Sequence, residues 1–114
     1  MGKPMTLLQG TLDVLVLRSL EAEARHGYAV AEWIRERTDG ALDIEDGALY
    51  TALHRMEKRG YLASEWGVSE NNRRAKFYSL TRTGRRELVR ASADWHAYAD
   101  AVAKVLRPGR GEPA

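Results

Sequence analysis

The side chains best suited to chemistry in this sequence lie between residues 46 and 60. They carry hydrogen-bond donors or positive charge and share one side of a predicted helix: Tyr50, Thr51, His54, Arg55 and Lys58. Such groups suit contacts with base edges in the major groove of DNA and with its phosphates. A surface helix with a solvated basic face has the same composition, so this stretch alone leaves both interpretations open.

A second group of cations follows shortly after the first. Arg73 ends the turn-rich segment 67–73, and Arg74 and Lys76 follow at its edge; we expect all three to contact phosphates. Residues 47–90 hold ten basic and four acidic side chains, whereas residues 5–46 hold four basic and nine acidic ones. The net charge of the whole chain is only +2, so the positive charge is concentrated in the second half. This asymmetry indicates an anionic partner for that half.

Other chemistries find little support in the sequence. There is no cysteine, which excludes disulfides, thiol catalysis and thiolate metal sites. The three histidines, His26, His54 and His96, fall on different predicted elements and have no partner at metal-ligand spacing. No glycine-rich phosphate loop or nucleophile motif is present. We therefore expect no catalytic residues, no metal and no cofactor.

The helix that must position the first group spans residues 46–59. Leu49, Leu53 and Met56 recur at helical spacing and form its buried stripe, with Ala48 and Ala52 beside them. Asp46 is the predicted N-cap, and Gly60 is predicted to end the helix in a left-handed turn.

Two helices are predicted before this one. The first begins either at Thr6, through a capping box with Gln9, or at Thr11, and is apolar on nearly all sides as far as Leu20. We expect it to be central and buried. The second runs from about Tyr28 to Thr38, with His26 bonded to the backbone at its start and Trp33 in or near the core.

A hairpin is predicted after Gly60. Its strands are residues 61–66 and 74–80, joined by the loop 67–73 with glycine, serine and two asparagines to turn it. We call residues 61–80 the wing. Trp66 is predicted to be a core or core-edge residue.

The last predicted helix covers residues 81–107, with Thr81 as its N-cap and Pro108 beyond its end. Its apolar side chains alternate spacings of four and three, which is typical of a coiled-coil seam. We expect a second copy of the helix to cover this seam; packing back onto the first helix is the alternative. The seam residues assigned to dimerisation are Leu88, Trp95, Ala99, Val102 and Leu106.

The order helix, helix, helix, basic hairpin, helix predicts a mainly α fold with a small β-hairpin. Its parts are a winged helix-turn-helix at residues 6–80, a C-terminal dimerisation helix at 81–107 and a flexible tail at 108–114. The apolar run from Leu7 to Leu20 contains Gln9, Asp13 and Arg18, which argues against a signal peptide or membrane span. We expect a cytoplasmic protein that does not contact membranes.

The chain resembles the PadR family of bacterial transcriptional regulators. The resemblance covers roughly residues 6–90 and is carried by five stretches: Leu8-Gln9-Gly10-Thr11-Leu12-Asp13, His26-Gly27-Tyr28, Gly47-Ala48-Leu49-Tyr50 with Leu53-His54-Arg55-Met56-Glu57, Gly60-Tyr61-Leu62 with Ser64-Glu65-Trp66, and residues 73–84. It implies a homodimeric, usually repressing regulator that binds double-stranded DNA. The single C-terminal helix resembles the shorter branch of the family. Some members of that branch bind flat aromatic compounds between the subunits, stacked on a tryptophan of the C-terminal helix, and Trp95 is in a comparable place.

Two other functions compete with this one. A winged helix used only for protein contact would favour an apolar or acidic third helix, and His54, Arg55 and Lys58 go against that. A metal-sensing winged-helix repressor would need cysteine or clustered histidine, which this sequence lacks.

Overall fold

The computed structural model describes residues 10–109. It has four helices and a three-stranded antiparallel sheet in the order β1-β3-β2, which confirms the mainly α winged-helix prediction. The elements are α1 (Thr11–Ser19), β1 (Arg25–His26), α2 (Gly27–Arg37), α3 (Asp46–Lys58), β2 (Leu62–Val68), β3 (Arg74–Leu80) and α4 (Arg82–Leu106). The first helix takes the later of its two predicted starts; the capping box at Thr6 and the tail beyond Gly109 lie outside the described residues.

The core lies where α1, α2 and α3 meet the base of the wing. Its most deeply buried apolar members come from α1 and the residue after it, from α2 and α3, and from β2 and β3: Val16, Leu17, Leu20, Val30, Ile34, Leu49, Ala52, Leu53, Met56, Leu62 and Tyr78. Apolar burial of this kind supplies most of the stabilisation of a small domain. The predicted stripe of α3 is therefore confirmed for Leu49, Leu53 and Met56, whereas Ala48 is exposed.

Local signals set most element boundaries. The Nδ1 atom of His26 accepts a hydrogen bond from the backbone N–H of Ala29 at 3.2 Å, as expected for a residue bonded at the start of α2. Thr81 caps α4 by accepting from the N–H of Gly84 at 2.9 Å, and Gly60 has the left-handed φ of 81° predicted for the end of α3. The predicted cap at Asp46 is wrong, because Glu45 occupies the N-cap position and makes no side-chain cap bond.

The sheet differs from the predicted hairpin in three ways. Strand β1 was not predicted; it pairs His26 with Phe77 and attaches the start of α2 to the wing. Strand β2 continues to Val68, so the wing loop is shorter than expected. Trp66 is 59% exposed and not a core residue. Strand alternation puts Trp66 on the same face as the buried Leu62, but the hairpin has passed the edge of the core by then.

Helix α4 has two different environments. Near its start it packs against α1, and Leu88 lies in the core of its own chain at 5% exposure. From Ala93 onward every described side chain except that of Ala99 is exposed. Leu88, assigned to the dimer seam from spacing, therefore has little surface left for a partner. None of the described helices is long and apolar enough to cross a membrane.

Candidate nucleic-acid interface

A groove of about 750 Å³ runs between the start of α2, the outer face of α3 and the wing. It brings together five of the residues singled out from the sequence, namely Tyr50, His54, Arg73, Arg74 and Lys76. The rest of its lining is formed by His26, Gly27, Tyr28, Trp66, Ser69, Asn71, Ala75 and Tyr78. The two cation-bearing segments that were separate in sequence thus line one surface.

The ring of Tyr50 lies against the backbone of Gly27, at the start of α2, and it fits there because glycine has no side chain. A Cβ atom built at Gly27 would lie 2.8 Å from the Tyr50 hydroxyl and 2.9 Å from its ring. The phenol therefore packs directly on the backbone of the first turn of α2. Tyr50 also lines the groove, and the tyrosine as a whole is 45% exposed.

The outer face of α3 presents Thr51, His54 and Lys58 to solvent. Arg55 is placed differently, because both of its terminal nitrogens donate to the Asp13 carboxylate of α1, at 2.5 and 2.9 Å. These hydrogen bonds raise the pKa of Arg55. A bidentate pair of this kind fixes orientation, so Arg55 ties α3 to α1.

The wing arginines are exposed, and one of them is preoriented. The guanidinium of Arg74 lies 4.6 Å from the centre of the Trp66 ring, a cation–π contact that holds it against the outer face of β2. Arg73 follows the turn in which the Ser69 carbonyl accepts from the N–H of Asn72 at 2.9 Å.

Lys76 lies at the base of the wing and is engaged within the protein. Its ammonium is 3.3 Å from a carboxylate oxygen of Glu57 on α3. The Ser64 hydroxyl donates to the other oxygen of Glu57 at 2.5 Å. The hydrogen bond from Ser64, aided by Lys76, lowers the pKa of Glu57. This network joins α3 to both long strands and sets the angle between helix and wing.

The family of this chain follows from comparison of its sequence with known families. A sequence model described as the transcriptional regulator PadR-like family matches residues 16–90, which include α2, α3 and the whole wing. The chain belongs to the PadR-like family of transcriptional regulators.

Solved structures agree with the family assignment. A PadR family transcriptional regulator from Eggerthella lenta is 37% identical, with a TM-score of 0.73 over 89% of this chain and 86% of that one. A transcriptional regulator from Clostridium thermocellum is 29% identical, with a TM-score of 0.76 over 84% and 93% of the two chains. An uncharacterised protein of Lysinibacillus sphaericus is 27% identical over 89 residues, 78% of this chain and 82% of the relative. PadR-like proteins are regulators that bind DNA, and the groove of this PadR-like chain is lined by Tyr50 and His54 of α3 and by Arg73 and Arg74 of the wing.

A second concave surface of about 490 Å³ lies between α1 and α4 in the PadR-like chain. Trp95 lines it and is 41% exposed, with the His96 ring edge-on at 5.6 Å. The other lining residues are Gly10, Thr11, Val14, Arg90, Ala91, Asp94 and Tyr98. Among residues 10–109, no three histidine, aspartate or glutamate side chains are grouped so that they could hold a metal ion.

Several residues that shape the groove carried no usable signal in the sequence. Asp13 is 42 positions from Arg55, and Glu57 meets Lys76 only because the hairpin folds back over α3. Trp66 was predicted to be a core or core-edge residue and is exposed instead. Its position between strand residues of mixed polarity was the one available hint that it faces outward.

Proposed function

We propose that this protein is a sequence-specific DNA-binding transcriptional repressor that binds an inverted-repeat operator as a homodimer. The groove is the observation that carries the proposal, because it joins the exposed donors of α3 to the wing cations on one open surface. In winged helix-turn-helix proteins a helix of this kind enters the major groove and positions the wing beside the phosphates. Such a regulator would act in the cytoplasm, where the chromosome is.

We assign the DNA contacts according to whether each side chain is held in an ion pair within the protein. Tyr50, Thr51 and His54 are the candidates for base edges, and Lys58, Arg73 and Arg74 are the candidates for phosphates. Arg55 and Lys76 would have to leave Asp13 and Glu57 to reach DNA. We assign them the role of holding α3 at a fixed orientation to α1 and to the wing.

The homodimer is proposed from the outer part of α4. This helix exposes a series of large apolar side chains beyond the core: Trp95, Tyr98, Val102, Val105 and Leu106. A run of large exposed apolar side chains along one helix is typical of interfaces. A second copy of α4 would cover it, and a two-fold axis there would set the two recognition helices about 34 Å apart, one turn of DNA.

The concave surface beside Trp95 is the proposed site for an effector. It lies at the edge of the proposed dimer interface, and the exposed indole offers a flat face for an aromatic compound to stack on. A ligand wedged there would change the angle between the subunits and hence between the two wings. Repression would be relieved when the recognition helices no longer fit successive major grooves.

Selection from a random pool of DNA duplexes tests the proposed operator. The purified protein should enrich an inverted repeat whose half-site centres are about 10 bp apart, one helical turn. Enrichment of a single unpaired half-site would contradict the homodimer, and no enrichment at all would contradict sequence-specific recognition.

Replacing Arg74 by Ala should weaken binding to every duplex. The loss of one phosphate contact should reduce the slope of log K against log salt by about 1 per subunit, and so by about 2 for a dimer. Fluorescence anisotropy over a salt series measures this slope. The matched control is Arg37→Ala. It also removes one arginine charge, but Arg37 lies over the ring of Trp33, outside the groove. An equal change of slope in both variants would remove Arg74 from the contacts.

Replacing Gly27 by Ala should displace Tyr50 without unfolding the protein. The new Cβ would meet the far end of a flexible side chain, so the phenol can rotate away at small cost. We expect the free energy of unfolding to change by less than about 1 kcal/mol and operator affinity to fall roughly tenfold, the value of one hydrogen bond. Anisotropy and thermal unfolding measure the two quantities. Tyr50→Phe is the control, and wild-type affinity in both variants would exclude Tyr50 as a contact.

A further inference from the structure

We propose that one phosphate of the DNA backbone binds at the start of α2, where the Nε2–H group of His26 donates to it. In the free protein the Glu70 carboxylate of the wing loop occupies this position and must leave when DNA binds. The inference rests on the proposed function and adds a contact from an element outside α3 and the wing.

The imidazole of His26 has one N–H group that makes no hydrogen bond to any described residue. Its Nδ1 atom accepts the N–H of Ala29, so the proton of the neutral ring is on Nε2. His26 is only 8% exposed, and Nε2 is fully buried without a hydrogen-bond partner among residues 10–109. Burying an unpaired donor costs free energy that the fold recovers only when an acceptor arrives. Such a donor therefore points to a missing ligand.

The ring is held in a fixed orientation. Phe77 contacts it edge-on with ring centres 5.3 Å apart, and Tyr28 stacks at 6.4 Å. Strand pairing of His26 with Phe77 fixes the backbone as well. Because the cap bond and both aromatic contacts oppose rotation, Nε2 cannot turn to find another partner. An acceptor has to come to it from the groove that His26 lines.

A carboxylate oxygen of Glu70 lies 3.6 Å from Nε2, just beyond hydrogen-bond distance. The Glu70 side chain is 71% exposed and lies on the wing loop, so it can move away at little cost. An anion in this position is favoured by the positive end of the eleven-residue α2 and by the exposed Arg73 and Arg74 across the groove.

A DNA phosphate fits this position better than a free anion does. The same groove continues onto Tyr50 and His54, which lie on the face proposed to meet base edges. A duplex would therefore deliver a phosphate to His26 while its bases contact α3, and its many contacts would outcompete a single tethered carboxylate. Inorganic phosphate has only the local contacts and should bind far more weakly.

The decisive variant is His26→Asn. Asparagine is a good N-cap, so it keeps the bond to Ala29 but is too short to supply the outward donor. We expect a somewhat lower melting temperature, because the packing of the ring on Phe77 is lost, and about tenfold weaker binding to a mixed-sequence 30-bp duplex. The salt slope should be unchanged because a neutral donor releases no counterion. Anisotropy over a salt series measures both. Wild-type affinity in this variant overturns the proposal.

His26→Gln is the reciprocal control. Glutamine places an amide donor near the Nε2 position but loses the cap, so we expect a lower melting temperature and near-wild-type affinity. If His26→Gln binds as weakly as His26→Asn, the outward donor is not the contact and the proposal is overturned. If the asparagine variant fails to fold, the affinity of His26→Gln relative to the wild type decides the matter, and a tenfold loss overturns the proposal.

Glu70→Gln tests the displaced carboxylate. Removing its charge should tighten duplex binding several-fold in the wild-type background and have a smaller effect in the His26→Asn background. An equal gain in both backgrounds overturns the assignment of Glu70 to the phosphate position.

Competition with inorganic phosphate tests whether a free anion is the ligand. At millimolar concentration it should weaken duplex binding no more than a simple salt of equal ionic strength does. A stronger effect than that salt has would mean that a free anion is the ligand, which overturns the proposal. If the wild-type protein binds no duplex, the proposed function itself fails, whereas failure of the inference alone leaves wild-type binding intact.

Discussion

Replacing Trp95 by Asp should convert the protein to a monomer and lower its affinity for the operator at least about 100-fold. The change removes a large aromatic side chain from the exposed surface of α4 and puts a charge where the partner helix would bury it. A monomer engages one half-site at a time, so the avidity gained from two linked sites is lost. Sedimentation velocity at micromolar concentration gives the oligomeric state, and anisotropy gives the affinity.

Val89→Asp is the matched control for the dimer. Val89 is also a large apolar residue of α4 and is 72% exposed, but it lies outside the seam defined by Trp95, Ala99 and Val102. We expect this variant to remain a dimer with nearly wild-type DNA binding. A Trp95→Asp variant that is still dimeric at micromolar concentration would show that the subunits meet elsewhere.

Replacing Gly84 by Ala should destabilise the protein more than the same replacement at any other described glycine. A Cβ there would lie 2.0 Å from the carbonyl oxygen of Tyr61 and 2.9 Å from its carbon. That carbonyl cannot retreat easily, because it accepts hydrogen bonds from the N–H and the hydroxyl of Thr81, both at 3.1 Å. We expect the free energy of unfolding to fall by about 3 kcal/mol and the melting temperature by roughly 10–20 °C.

Thermal and urea unfolding followed by circular dichroism measure the effect of Gly84→Ala. Thr83→Ala is the control, since Thr83 is an exposed neighbour on the same turn of α4, and its effect should stay within about 0.5 kcal/mol. Equal stability of both variants would contradict the close approach of α4 to the base of the wing.

The elements that could be predicted from the sequence are those with local signals. Thr81 begins α4 by accepting a hydrogen bond from the N–H of Gly84, and Gly60 follows the end of α3 with its own positive φ. The return strand 74–80 was predicted at its observed bounds. Strand β1 could not be predicted, because two residues are too few for an alternating pattern and its partner is far away in sequence.

The sequence was enough to predict which residues lie near the site. It was not enough to predict which of them form ion pairs or pack within their own chain. Spacing identified Arg55 as an exposed cation of α3, yet its charge is bound by Asp13 of α1. Helical periodicity likewise assigned Leu88 to a seam with a partner, while the fold buries it in its own core. In both cases a residue distant in sequence decides the environment, and only tertiary structure brings the two together.

The most direct test of the proposed function is an anisotropy titration with the DNA upstream of the protein's own gene, beside a scrambled duplex of equal length, over a salt series. We expect the upstream duplex to bind at least about 1,000-fold more tightly at physiological salt. Lys58, Arg73 and Arg74 from two subunits should give a salt slope of about −5. Equal binding of both duplexes would mean that this segment is not the operator and that only electrostatic attraction is acting. No binding to either duplex, even at low salt, would contradict DNA recognition and favour a protein-contact role for the winged helix.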